Sequence, residues 1–142
     1  MTIRVGVLTV SDRCSAGVEQ DASGPLICEL VVDGLGAEVL RTAIVPDEQP
    51  QITATLLAWC DQGDLDLLLT TGGTGFAPRD VTPEATLAVI ERPTPGLPEA
   101  MRAAGAVVEP DLLHLGPRQD LHAPGLVSRG GIDLGGFGRT GL

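Results

Sequence analysis

The chain has 142 residues, 43% of them hydrophobic, and a formal net charge of −10, a balance that indicates one globular domain and excludes a disordered chain or a binder of nucleic-acid phosphates. All nine basic residues are arginine, which excludes Walker-A, Schiff-base and kinase-type lysine chemistry. With one Trp, two Phe and no Tyr, the core must be aliphatic and a base-stacking surface is excluded.

Ile3 to Val10 is a Val/Ile/Leu-rich run and reads as a buried strand, not as a leader, since no small-residue cleavage site follows it. A polar loop is expected from Ser11-Asp12-Arg13 through Ser23. A helix then opens at Pro25, with Leu26, Ile27, Leu30 and Val31 as its apolar face and Gly34 or Gly36 as its end. Ala37 to Val45 is a second strand. Asp47 is placed to cap the next helix, whose inner side is Ile52, Leu56, Leu57 and Cys60. Leu65 to Thr71 is the third strand, followed by Gly72-Gly73-Thr74-Gly75. Thr82-Pro83-Glu84 starts a helix over Ala85 to Glu91, and a shorter helix runs from Gly96 to about Ala104. Strands alternating with helices imply βαβ units and a parallel sheet. From Ala106 the pattern is lost: eight glycines and neither the strand nor the helix period. Residues 106–142 are an atypical, glycine-rich segment of a single domain spanning 1–142, expected to pack poorly.

No stretch approaches the roughly 18 apolar residues of a membrane span. Cys14, Cys28 and Cys60 are an odd number without a CxxC pair, as expected of reduced thiols in the cytoplasm.

Ligands of open parallel α/β sheets bind beyond the carboxyl ends of the strands. Those ends carry Ser11-Asp12-Arg13, Pro46-Asp47-Glu48 and Gly72 to Asp80. The glycines allow positive φ and close approach to backbone N–H groups, so the loop either cradles an anion or is a tight turn. Asp47 and Asp80 suit Mg²⁺, which takes a few carboxylates plus substrate oxygens; the bland alternatives are a helix cap and a solvated turn. Arg79 and Arg13 would neutralise phosphate oxygens or serve as surface charge. His114 and His122 show no metal-ligand spacing, and Ser11 and Ser23 lack a nucleophile context.

The stretches "VLTVSDRCSAG", "DASGP", "IVPDEQ", "LTTGGTGFAPRDVTPEAT" and "PGLPEAMR" resemble, in order and spacing, the Mog/MoaB family of molybdopterin-binding domains, including the G domains of gephyrin. The resemblance covers Ile3 to about Ala104 and implies a three-layer α/β sandwich with a mostly parallel central sheet, commonly trimeric. It implies transfer of AMP from ATP to molybdopterin with Mg²⁺. Asp47 and Asp80 match the family's essential acidic pair, as catalytic residues and metal ligands. Ser11, Asp12, Gly72, Gly73, Thr74 and Gly75, with Arg79, match substrate-binding positions. Leu126-Val127-Ser128-Arg129 and Gly138-Arg139-Thr140 echo parts of the family's C-terminal segment, whose apolar strand, LPG turn and last helix are not found; truncation, a frame change or divergence would explain this. The alternatives are a non-catalytic pterin-binding or trimer-forming member, and an unrelated nucleotide-binding α/β module.

Overall fold

β1 (Arg4–Val10) lies between two parallel neighbours, β2 (Glu38–Val45) and β3 (Leu67–Thr71). This computed structural model describes residues 1–97, 99–101, 103, 125–128 and 132–133. The central position explains the unbroken apolar run of β1, since both of its faces are covered. Val5 and Val7 pack with Val31 and Ala37 on one side. Leu8 and Val10 pack with Ile52, Leu56, Trp59, Leu68 and Ala85 on the other. β2 is an edge strand whose residues alternate between exposed and half-buried.

Two helical layers enclose the sheet. α2 (Ser23–Leu35) supplies Val31 to the first cluster, while α3 (Gln49–Gln62) and α4 (Thr82–Leu87) supply Ile52, Leu56, Trp59 and Ala85 to the second. The expected three-layer α/β sandwich with a mostly parallel sheet is therefore found. Gly36, in the left-handed region at φ 59°, closes α2 as expected of a helix-terminating glycine. At the amino-terminal edge, Arg4 grips Asp66 through two side-chain bonds, and the Asp66 main-chain N–H donates to the Arg4 carbonyl. This pairing sets the β1–β3 register and starts β3 at Leu67, two residues later than the apolar run predicts.

Several expectations are corrected. The polar loop after β1 contains a short helix, α1 (Asp12–Ser15), because the Ser11 hydroxyl accepts from the Cys14 N–H and caps it. On α2, Leu26 and Leu30 are exposed; Gly24 and Val31 face inward with Ile27 and Cys28. On α3 the bulky inward residue is Trp59, and Leu57 is exposed. α4 begins at Thr82, with Val81 as its cap residue, and ends at Leu87. Helical backbone at 96–97 and 99–101 matches the expected short helix. Within the glycine-rich segment, β4 (Gly125–Ser128) pairs antiparallel with β3, and β5 (Ile132–Asp133) pairs with β4, extending the order to β2-β1-β3-β4-β5. A four-residue strand is too short to show a period. His114 and His122 lie outside the described residues. Among the described residues, no helix is long and apolar enough to cross a membrane.

Leu56, at 0% exposure, sits at the centre of the larger cluster. Leu56→Ala is expected to lower the unfolding free energy by about 2–5 kcal/mol, measured by denaturant titration. A change below about 1 kcal/mol would mean the cluster collapses around the gap.

Candidate functional site

Because β1, β2 and β3 run parallel, the three loops at their carboxyl ends meet at one edge of the sheet. There they line a cleft of about 310 Å³ whose wall includes Ser11, Asp47, Gly72, Gly73 and Asp80. Its acidic members are Glu19, Asp21, Asp47 and Asp80, and no arginine lines it among the described residues.

Asp47 and Asp12 bind each other reciprocally. The Asp12 N–H donates to Asp47 Oδ2 at 2.8 Å, and the Asp47 N–H donates to Asp12 Oδ1 at 3.0 Å. Asp47 is therefore not the helix cap its position suggests; Glu48 precedes α3 and makes no side-chain cap bond. Burial pushes the Asp47 carboxyl above the ordinary carboxylate range, against the lowering hydrogen bond from Asp12, and the charges of Asp12 and Asp80 push it further up. Asp80 closes a turn, its Oδ2 accepting from the Ala77 N–H at 2.9 Å, and also lines the cleft.

Arg79 stands away from the cleft lining. Its Nε and Nη2 donate to the two Asp12 oxygens at 2.6 and 2.9 Å, and Nη2 also donates to Glu48 Oε1 at 2.8 Å. Arg13 pairs with Glu19 at 3.2 Å on the surface. Asp12, Thr74 and Gly75 also lie outside the lining; Thr74 is buried, and Gly75 is exposed beside Asp80.

The two leading glycines answer a packing demand. Gly72 has φ 88° and Gly73 φ 66°, a region that side-chain-bearing residues rarely enter. A Cβ on Gly72 would meet the Val10 carbonyl oxygen at 2.1 Å, and one on Gly73 would meet Thr82 Oγ1 at 2.2 Å and Asp47 Oδ1 at 2.9 Å. Thr82, at the start of α4, ties the loop down: its hydroxyl donates to the Gly72 carbonyl at 2.8 Å and its N–H to the Gly73 carbonyl at 3.1 Å. A valine at Gly73 would therefore disturb the fold itself and not only ligand binding, since the clash is internal to the protein.

Asp21, Thr9 and Gly24 fall within the stretches "DASGP" and "VLTVSDRCSAG", but the sequence assigns them no individual role. Asp21 Oδ2 accepts from the Thr9 hydroxyl at 2.7 Å, and Oδ1 accepts from the Gly24 N–H at 3.1 Å, so Asp21, just ahead of the cap residue Ala22, satisfies one first-turn N–H of α2 and forms part of the cleft wall. The Asp-x-x-Gly spacing ahead of an apolar run was the available signal. Its contact with Thr9 was not readable along the chain.

Among the described residues, no group of three His, Cys, Asp or Glu is arranged to hold a metal. A pair of carboxylates is nevertheless a donor set that suits Mg²⁺, which fills its remaining positions with water and substrate phosphate. The half-buried Asp47, pressed by the charge of Asp80, fits a site that a cation would relieve.

The carboxylates answer to pH with opposite signs. The Arg79 guanidinium holds Asp12 below its ordinary value, and Arg41 does the same for Asp64. Stability from these pairs is fully present above about pH 4 and is lost as pH falls through the depressed folded-state values. Asp47, raised, contributes in the reverse direction: its neutral form favours folding at low pH, and that contribution is lost as pH rises through its folded-state value. Between pH 5 and pH 2 the melting temperature of an Asp64→Asn protein is expected to fall less steeply than that of the wild type. Parallel curves would remove this pair from the acid response.

The family whose description reads "Probable molybdopterin binding domain" matches residues 6–125. The chain is 48% identical over 102 residues to a molybdopterin adenylyltransferase of Escherichia coli K12, covering 71% of this chain and 52% of that protein. It is 47% identical over 96 residues to the molybdenum cofactor synthesis protein cinnamon of Drosophila melanogaster, covering 68% of this chain and 16% of that protein. The chain thus spans about half the length of the bacterial relative. Among solved structures, the molybdopterin biosynthesis enzyme MoaB of Thermus thermophilus superposes with a TM-score of 0.72 at 40% identity, covering 93% of this chain and 79% of that one.

Proposed function

The chain belongs to the molybdopterin-binding domain family, and from that premise we propose that it transfers AMP from ATP to molybdopterin, releasing pyrophosphate, in molybdenum cofactor biosynthesis. The observation that carries this reading is the convergence of Asp47, Asp80 and the Gly72-Gly73 turn on one cleft at the carboxyl ends of the parallel strands.

The attacking group is an oxygen of the pterin's terminal phosphate, which is already anionic near neutrality because its second pKa is about 6. It bonds to the α-phosphorus of ATP as the bond to the pyrophosphate oxygen breaks. No strong general base is needed, which suits an acid-lined cleft. The work left to the protein is to hold two polyanions in line and to offset their charge. Asp47 and Asp80 would hold Mg²⁺, which supplies neutralisation of phosphate oxygens when bound. Ser11, Gly72 and Gly73, in the cleft wall, are the positions from which the chain would touch substrate. A wall bearing four carboxylates and no arginine among the described residues gives a polyphosphate little reason to enter without a cation.

The setting we assign is the cytoplasm, where Cys14, Cys28 and Cys60, all free thiols, stay reduced. The assembly we assign is a homotrimer; exposed Leu26, Leu30 and Leu35 on α2 are apolar surface that a second copy would cover.

The test is incubation with molybdopterin, ATP and Mg²⁺, following adenylylated pterin and pyrophosphate. Equimolar appearance of both is expected. Tight pterin binding without product would leave the non-catalytic binding role.

A further inference from the structure

We propose that Arg79 and Asp12 are positioning residues for Asp47: Arg79 clamps the Asp12 carboxylate, and Asp12 in turn orients the Asp47 carboxylate through its main-chain N–H. This deepens the transfer reading and rests on Asp47 being the acid that serves it.

Three loops meet in this clamp. Asp12 follows β1, Asp47 and Glu48 follow β2, and Arg79 follows β3. Each is joined to the others by charge-assisted bonds. Arg79 takes both oxygens of Asp12 at 2.6 and 2.9 Å in the bidentate fork that only a guanidinium offers, and reaches Glu48 at 2.8 Å. Asp12 and Asp47 then exchange main-chain N–H bonds in both directions, at 2.8 and 3.0 Å. Asp47 Oδ2 is thereby held by a backbone group, while Oδ1 lies next to Gly73. The direction of the cleft-facing carboxylate is set by a group that Arg79 immobilises. A guanidinium already shared between two carboxylates and absent from the cleft lining is poorly placed to act first as a phosphate ligand.

The clamp also accounts for the reach of the arrangement. Loops after separate strands move independently unless something ties them, and a displacement near 1 Å at a reacting group is enough to lower a rate about 100-fold. The guanidinium of Arg79, half-exposed, ties them on the outer side of the site.

The experiment uses Arg79→Met, Arg79→Lys, Asp12→Asn and the Arg79→Met/Asp12→Asn double variant, with two readouts. The first is amide hydrogen exchange of the Asp12 and Asp47 N–H groups in the protein alone. Arg79→Met is expected to speed both roughly 10-fold or more, as befits loss of charge-assisted bonds, with Arg79→Lys between it and wild type. The second is kinetic. Arg79→Met is expected to lower kcat with the KM for ATP changed by less than about two-fold, and to add little once Asp12 is already Asn, because both act on one path. Unchanged exchange in Arg79→Met overturns the clamp. So does a KM for ATP that rises equally with and without the Asp12 carboxylate, which places Arg79 on the phosphates directly. If the wild-type protein makes no adenylylated product, the transfer reading fails, and the exchange measurement still decides the clamp.

Discussion

An Asp47→Asn protein is expected to lose AMP transfer by about 100-fold or more while melting no earlier than the wild type. The two halves of this expectation have separate causes. Asparagine keeps the size of Asp47 and an oxygen that accepts from the Asp12 N–H, a bond of 2.8 Å in the structure, so the loop contact survives. What disappears is a charge that the folded protein tolerates poorly. The Asp47 carboxyl is raised by burial and by the charges of Asp12 and Asp80, so wherever the pH is high enough to ionise it in the folded protein, the ionised form opposes folding. Removing the charge relieves that opposition. On the proposed reading it also removes a carboxylate that would hold Mg²⁺ and offset charge on the transferring phosphoryl group, so stability and activity are expected to move apart. Asp80→Asn should show the same loss of transfer, with its turn to Ala77 retained. Transfer by Asp47→Asn at close to the wild-type rate would sink the metal role of that residue. A simultaneous fall in melting temperature would show instead that the charge holds the loop.

Gly73→Ala is expected to destabilise the protein by about 3 kcal/mol, or roughly 10 °C in Tm, by two additive effects. The first is conformational: φ is 66° at Gly73, a region that costs an alanine about 1 kcal/mol. The second is steric: the new methyl would sit 2.2 Å from Thr82 Oγ1 and 2.9 Å from Asp47 Oδ1. The first of these atoms is buried and anchored to the Gly72 carbonyl, so it cannot swing away cheaply. Gly36→Ala separates the two effects. Gly36 has φ 59° with nothing within 4 Å of a Cβ, so only the conformational cost applies and the loss should stay near 1 kcal/mol. Equal losses at the two positions in thermal melts would mean that the Gly73 loop relaxes around the methyl group. Because the Gly73 methyl also presses on Asp47, ligand binding by Gly73→Ala reports on the geometry of the acid as well as on the approach of a phosphate.

Much of the core and of the cleft was legible from local pattern. The β1 run is continuous because its strand is buried on both faces, and a strand of that kind carries its burial in its own composition. The positions of Asp47, Gly72, Gly73 and Asp80 beyond strand ends follow from a parallel sheet alone, since parallel strands direct their carboxyl ends to one edge. The inner face of α2 was misread at Leu26 and Leu30, which satisfy the helical period yet are exposed. Period shows that a stripe exists, but not which part of it the sheet reaches. β4 was missed because four residues in a glycine-rich stretch acquire strand character only by pairing with β3.

By itself, the sequence determined the alternation of strands and helices, the parallel arrangement that follows from it, and the chemical types gathered at one edge. These depend on residues close together in the chain, whose periodicity and turn chemistry act locally. The tertiary structure alone decided what each of those side chains does. Asp47 has the position of a helix cap and the role of an acceptor for Asp12, 35 residues away; Arg79 has the look of a phosphate ligand and is bound to Asp12, 67 residues away. Thr82 starts α4 and also holds the Gly72 carbonyl. A hydrogen bond extends about 3 Å, and which donor lies within that distance of which acceptor is settled only once β1, β2 and β3 have packed side by side.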